Sequence, residues 1–357
     1  MANTRAPIVA ITMGDPAGNG PELTVKALAH QDVYRRMRPV VVGDASMIEM
    51  ACGIAGHPEM RVRRVERPDQ ARFEPGVIDV VHLDLIDADV FEYGRVSAMC
   101  GMAAFKSVVC AIELAMRGDV DATCTNALNK EAMNLALKPE GKHFAGHTEI
   151  YASYTGTSSY AMMLAFHDLR VVHVSTHCSL AEACRRVKTP RVLEVIKLAN
   201  DACHRLGIEH PRIAVAGLNP HAGEGGLFGR EEIDEIAPAI ELAAADGIDV
   251  EGPLPPDSLF CKALGGWYDI VIAMYHDQGH IALKTVGFVY DRAARAWKAV
   301  EGVNVTLGLP IIRTSVDHGT GFDQAGKGRS NELSLLNALD FAARMASGEK
   351  EGHAQTS

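Results

Sequence analysis

Three short runs of this chain are apolar or β-branched at nearly every position, and a histidine stands at the end of each. They are Val171–Thr176 before His177, Arg212–Leu218 before His221, and Asp269–Tyr275 before His276. A strand with one wet face alternates apolar and polar residues. A strand that is apolar throughout is covered on both faces, as in a parallel sheet flanked by helices. Ligands of open α/β sheets bind beyond the carboxyl ends of the strands, which is where these three side chains fall. Three imidazoles able to converge there suit a divalent metal with an open coordination position, as in catalytic rather than structural sites. Imidazole donors favour zinc or cobalt, with manganese or magnesium as lesser matches.

The rest of the chain keeps the alternation. Pro7–Thr12, Arg38–Val42, Val77–Leu85, Asp121–Thr125 and Leu309–Ile312 read as further strands. Ser97–Arg117, with a serine cap and a closing Gly118, reads as a helix, as do Pro190–Leu206, Glu231–Ala245 and Asn331–Ala346. The pattern predicts an α/β protein with a largely parallel sheet.

With 357 residues the chain is long enough for two lobes. A net charge of -10 argues against nucleic-acid binding, so an anionic substrate would need local positive charge. No uninterrupted apolar run is long enough to span a bilayer and the N-terminus lacks a signal pattern, so the expectation is a cytoplasmic protein without membrane contact. None of the eight cysteines forms C-x-x-C, which reads as reduced, mostly buried thiols. Cys178 adjoins His177, but strand alternation would turn it to the opposite face.

Several motifs add chemistry. Gly14–Glu22 (GDPAGNGPE) is a glycine-rich strand-to-helix turn that fits neither G-x-G-x-x-G nor the P-loop, and it can serve as a tight turn or as an anion loop. Gly146–Glu149 (GHTE) presents His147 and Thr148 behind a glycine. Gly217–Gly226 (GLNPHAGEGG) sets His221 and Glu224 among four glycines and a proline, and MYHDQG places Asp277 and Gln278 beside His276. Lys284 and Arg313 flank Asn304, a cation cluster that suits a small anionic substrate.

Together with the STH that ends at His177 and with VNVTLGLPIIRTSVDHGT, these motifs run in order from about Ile8 to about Leu339. In that order they resemble the 4-hydroxythreonine-4-phosphate dehydrogenase family of pyridoxal phosphate biosynthesis. The resemblance implies a fold like that of isocitrate and isopropylmalate dehydrogenases. On that basis residues 1–128 with 305–350 would form one α/β/α lobe, 129–304 a second lobe carrying the dimer interface, and 351–357 a tail. A cleft between lobes, an obligate homodimer, and NAD or NADP as hydride acceptor are implied with it. By motif, His177, His221 and His276 correspond to metal ligands drawn from two subunits, with zinc expected first and cobalt or magnesium as alternatives. His147, Thr148, Lys284, Asn304 and Arg313 correspond to substrate contacts.

The expected chemistry is oxidation of the secondary alcohol of a phosphorylated hydroxy acid, then decarboxylation of the 3-keto acid, with Asp257, Asp277 or Lys284 as the base. Two departures bear on the substrate. Val289–Glu301 lengthens the stretch between Lys284 and Asn304, and this segment, with Arg292, Arg295, Trp297, Lys298 and Val300, reads as a lid or as a surface hairpin. GDPAGNG and HGTGFDQAGKG are closer to paralogues that oxidise 4-phospho-threonate and 4-phospho-erythronate. Competing readings are a dihydrodiol-carboxylate dehydrogenase, a metallohydrolase and a non-catalytic metabolite-binding protein.

Overall fold

The computed structural model describes residues 5–293 and 296–348. Its strands are β1 (Ile8–Thr12), β2 (Arg38–Gly43), β3 (Arg61–Val65), β4 (Val77–His82), β5 (Ala122–Thr125), β6 (Ala161–Phe166), β7 (Leu169–His173), β8 (Ile213–Ala216), β9 (Val250–Leu254), β10 (Ile270–Ala273), β11 (Phe288–Asp291), β12 (Ala296–Val300), β13 (Val303–Leu307) and β14 (Ile312–Val316). The chain divides into two compact units. One comprises the residues up to Ser158 with Ala299–Val303 and Leu309–Ser347; the other comprises Ser159–Lys298 and Asn304–Gly308.

In the first unit the strand order is β3-β4-β2-β1-β5-β14, every pair parallel. Its central strands are apolar without alternation; Val9, Ala10, Ile11, Val40, Val41 and Val42 are all fully buried. In the second unit the order is β13-β6-β7-β10-β8-β9. There β6 and β7 pair antiparallel, while β7, β10, β8 and β9 run parallel. The α/β class therefore follows the sequence pattern, with the antiparallel β6–β7 hairpin added.

Two boundaries differ from the sequence reading. Helices Lys130–Leu137 and His147–Thr155, expected in the second lobe, belong to the first unit. The cause is close packing: a side chain at Gly101 would come within 2.1 Å of the Ala132 carbonyl, so helix Ala98–Met116 seats directly against helix Lys130–Leu137. Helix Ala98–Met116 is also long and apolar enough to cross a membrane by length and composition. Here its apolar residues, among them Ala104, Phe105, Val108 and Ile112, form part of the core.

The second difference concerns the strand expected at Leu309–Ile312. It is displaced to β14, because Gly308 turns with φ +89° and Pro310 offers no ladder donor. Arg313 thus lies within the strand rather than after it. β11 and β12 pair with each other as a two-stranded ribbon, which gives the 289–301 segment its secondary structure. The side chains of Arg295, Trp297, Lys298 and Val300, on which the lid reading leaned, lie outside the described residues.

Candidate active site

β7, β10 and β8 are adjacent and parallel, so the segments leaving their carboxyl ends carry His177, His276 and His221 to the same edge of the sheet. The first two meet. Their ring centroids are 5.7 Å apart, and both line one cavity of about 490 Å³. That separation suits two imidazoles sharing one cation at the usual N–metal distance of about 2.1 Å. His276 opens helix His276–Gly287, and its Nδ1 lies 2.7 Å from Asp277 Oδ1. The carboxylate fixes the tautomer and leaves Nε2 as the donor, the usual outer-shell arrangement of a metal-binding histidine. Asp277 Oδ1 thereby orients the His276 ring.

Cys178 lines the same cavity, contrary to the alternation argument. β7 ends at His173, so residues 177 and 178 belong to a loop in which neighbouring side chains need not diverge. Sequence reasoning also missed His173 and His280. The His280 ring stacks on His276 at 3.6 Å with 13° between planes, and its Nδ1 bonds the His276 carbonyl oxygen at 2.9 Å. His173 lies 4.8 Å from His280, and its Nδ1 bonds the Met162 carbonyl oxygen. Burial holds both rings neutral, pushing His173 down to about 4 and His280 to about 3. The four-residue step from His276 to His280 on a helix was the available signal.

His221 does not join this pair, and among the described residues no three metal-binding side chains of one chain cluster. It sits in a loop whose residues His221, Ala222 and Glu224 all take positive φ, at 54°, 53° and 44°. Such backbone is costly for residues with a side chain and persists only where the surroundings impose it. Here Glu232, nearly fully buried, accepts from the Leu218 and Asn219 amides at 2.7 Å each. Beside His221 the loop leaves Leu227 73% and Phe228 48% exposed.

The first unit builds a cationic corner. Arg313 is 3% exposed; its Nη2 donates to Thr125 Oγ1 at 2.8 Å and its guanidinium lies 5.6 Å from the Tyr151 ring. Tyr151 in turn donates to Thr123 Oγ1 at 2.9 Å. His147 and Thr148 open helix His147–Thr155. The His147 Nε2 is shut from solvent without a partner, and burial, then Arg313 and Lys130, hold the ring well below the ordinary imidazole range. A neutral imidazole, a buried guanidinium and an uncapped helix start together suit an anion.

Lys284 stands two turns along the helix from His276, its Nζ 5.0 Å above the Phe288 ring. Asn304, on β13, touches Met162 Sδ through Nδ2, while its Oδ1 is buried without a partner. Asp257 is exposed at the start of helix Pro256–Leu264 and does not line the histidine cavity.

The glycine-rich turn at Gly14–Glu22 is largely structural. The buried Glu22 carboxylate accepts from the Gly326 and Gly328 amides, and Lys26 donates to the Gly328 and Ser330 carbonyl oxygens. Asp15 is different. Its Oδ1 accepts from the Ala17 amide, Oδ2 is buried without a partner, and burial raises the carboxyl from 3.8 to about 6. A carboxyl raised on folding favours the folded chain while protonated, so its contribution is complete below about 3.8 and is lost as pH rises through about 6. Asp15→Asn should therefore raise the melting temperature at pH 8, by up to about 3 kcal/mol of stability, and change it little at pH 4. Melts at the two pH values check this; an equal effect at both would contradict it.

The model of the family described as pyridoxal phosphate biosynthetic protein PdxA matches residues 35–342. The D-threonate 4-phosphate dehydrogenase of Cupriavidus necator is 47% identical over 341 residues, covering 95% of this chain and 97% of that protein. Among solved structures, the 4-hydroxythreonine-4-phosphate dehydrogenase of Klebsiella pneumoniae matches with a TM-score of 0.84 and 42% identity, over 96% of this chain and all of that one. A terephthalate 1,2-cis-dihydrodiol dehydrogenase from Burkholderia xenovorans LB400 matches with a TM-score of 0.65 and 32% identity, over 95% of this chain and 98% of that one. The chain is a dehydrogenase and belongs to the PdxA family.

Proposed function

We propose that the protein oxidises the secondary alcohol of a phosphorylated hydroxy acid, of the D-threonate 4-phosphate or 4-hydroxythreonine 4-phosphate type, with NAD or NADP as hydride acceptor. The 3-keto acid so formed then loses carbon dioxide. The buried Arg313 and His147 corner carries the reading, since a desolvated guanidinium beside an uncapped helix start suits the phosphate of an ester. The names of the relatives support the same substrate class.

His177 and His276 would hold a divalent metal, zinc by donor type, with His221 completing the set across a homodimer. When bound, such an ion supplies the charge that lowers the pKa of a coordinated hydroxyl. The exposed Leu227 and Phe228 beside His221, and Leu180 at 61% exposure in the histidine cavity, support burial of this region against a second copy. The chain's own residues do the rest. Asp277 holds the His276 ring; Arg313, His147 and Thr148 bind the phosphate; Asn304 adds an amide. Of the three candidate bases Asp277 lines the cavity but orients the His276 ring, and neither Lys284 nor Asp257 lines it; Lys284 is favoured because it shares the helix that His276 opens. The purified protein should reduce NAD or NADP on D-threonate 4-phosphate and not on an unphosphorylated cis-dihydrodiol; the reverse preference would favour the dihydrodiol reading supported by the Burkholderia relative.

A further inference from the structure

Lys130 is the first residue of helix Lys130–Leu137, behind the capping Asn129 side chain. A cation there opposes the helix dipole, so the position is unfavourable for the helix itself. Nor does an ion pair explain it: among the described residues Lys130 has no hydrogen bond or salt bridge. Its side chain instead lies over the start of helix His147–Thr155. From the point where a Cβ on Gly146 would stand, Lys130 Cε is 3.6 Å and Nζ 3.9 Å away.

That helix start is built to receive an anion. Gly146 offers no side-chain cap, and the first intrahelical bond runs from the Ile150 amide to the Gly146 carbonyl oxygen. The amides of His147, Thr148 and Glu149 therefore have no intrahelical acceptor. An independent observation points the same way: His147 Nε2 is buried with no partner in the same corner as Arg313. One carboxylate stands close by, with Glu149 Oε2 3.6 Å from the same Gly146 point. Set against Lys130 and Arg313, it leaves the corner net positive.

We propose that Lys130 is a substrate-binding residue which, with the first amides of helix His147–Thr155 and with Arg313, holds the phosphate of a phosphomonoester substrate. The inference deepens the substrate reading above and rests on it for the identity of the ligand. Lysine acts as a point charge on one phosphate oxygen, while arginine presents a planar fork to two others. Because Lys130 contacts the remote end of the substrate and not the reacting carbon, its loss should weaken binding more than turnover.

The test uses the full chain as wild type, Lys130→Gln and Lys130→Arg, with inorganic phosphate binding measured by calorimetry and NAD(P)H formation measured on D-threonate 4-phosphate. Lys130→Gln should weaken phosphate binding and raise KM by about 10- to 100-fold, the range of a charge-assisted hydrogen bond. Its kcat should stay within about threefold of wild type, and Lys130→Arg should restore most of the loss. Wild-type phosphate affinity in Lys130→Gln, or a fall in kcat with KM unchanged, would overturn the proposal. If wild type reduces no nicotinamide on this substrate while phosphate binding still depends on Lys130, the anion site stands and the substrate reading above falls.

Discussion

Turnover should be lost in His276→Ala, and bound metal with it. The His276 ring faces His177 across the cavity, is fixed through Nδ1 by Asp277, and is backed by the His280 ring. Outer-shell changes at metal sites already cost about 10- to 100-fold, so removal of a direct ligand should cost more than about 100-fold in rate. Asp277→Asn is the graded control. An amide can still meet Nδ1 but no longer strengthens the ring as a donor, which predicts a loss within that outer-shell range. The fold should survive in both, because the His276 side chain is partly exposed and lines the cavity. Metal content after dialysis, read beside the rate, checks this. Unchanged metal content and rate in His276→Ala would move the site elsewhere.

Arg313→Met should be nearly as damaging to catalytic efficiency, for a different reason. Arg313 brings a desolvated, planar cation to the corner where His147 and Thr148 open their helix. Charged hydrogen bonds are worth about 1.5–3 kcal/mol each, so losing a bidentate contact predicts a fall in kcat/KM of roughly 100-fold or more. Arg313→Lys should recover only part of it, since an ammonium cannot reproduce the fork. Methionine keeps most of the volume packed over Tyr151, so stability should change little. A large drop in melting temperature with kcat/KM intact would instead make Arg313 a structural residue.

Much of this was legible because burial writes itself into composition. The unbroken apolar runs at β7, β8 and β10 announced parallel strands covered on both faces, and two of the three histidines beyond them, His177 and His276, line one cavity. What stayed hidden depends on contacts between segments remote in sequence. Gly101 seats against Ala132, and Ile150 and Tyr151 share a core cluster with Phe105, so both helices fall in the first unit, and nothing local reveals it. The end of β7 at His173 released Cys178 from strand alternation. Gly308 and Pro310 moved the strand that holds Arg313, a turn signal overridden in the sequence reading by the apolar residues around it. His221 shows a further limit: three equivalent strand ends predicted a trio, yet only two rings meet within one chain.

The most direct test of the account is the metal dependence of D-threonate 4-phosphate oxidation. Protein stripped with a chelator and dialysed should form no NAD(P)H on this substrate, and zinc or cobalt added back should restore the rate, with one carbon dioxide released per nicotinamide reduced. A full rate in the stripped protein, or no nicotinamide reduction with metal present, would contradict it.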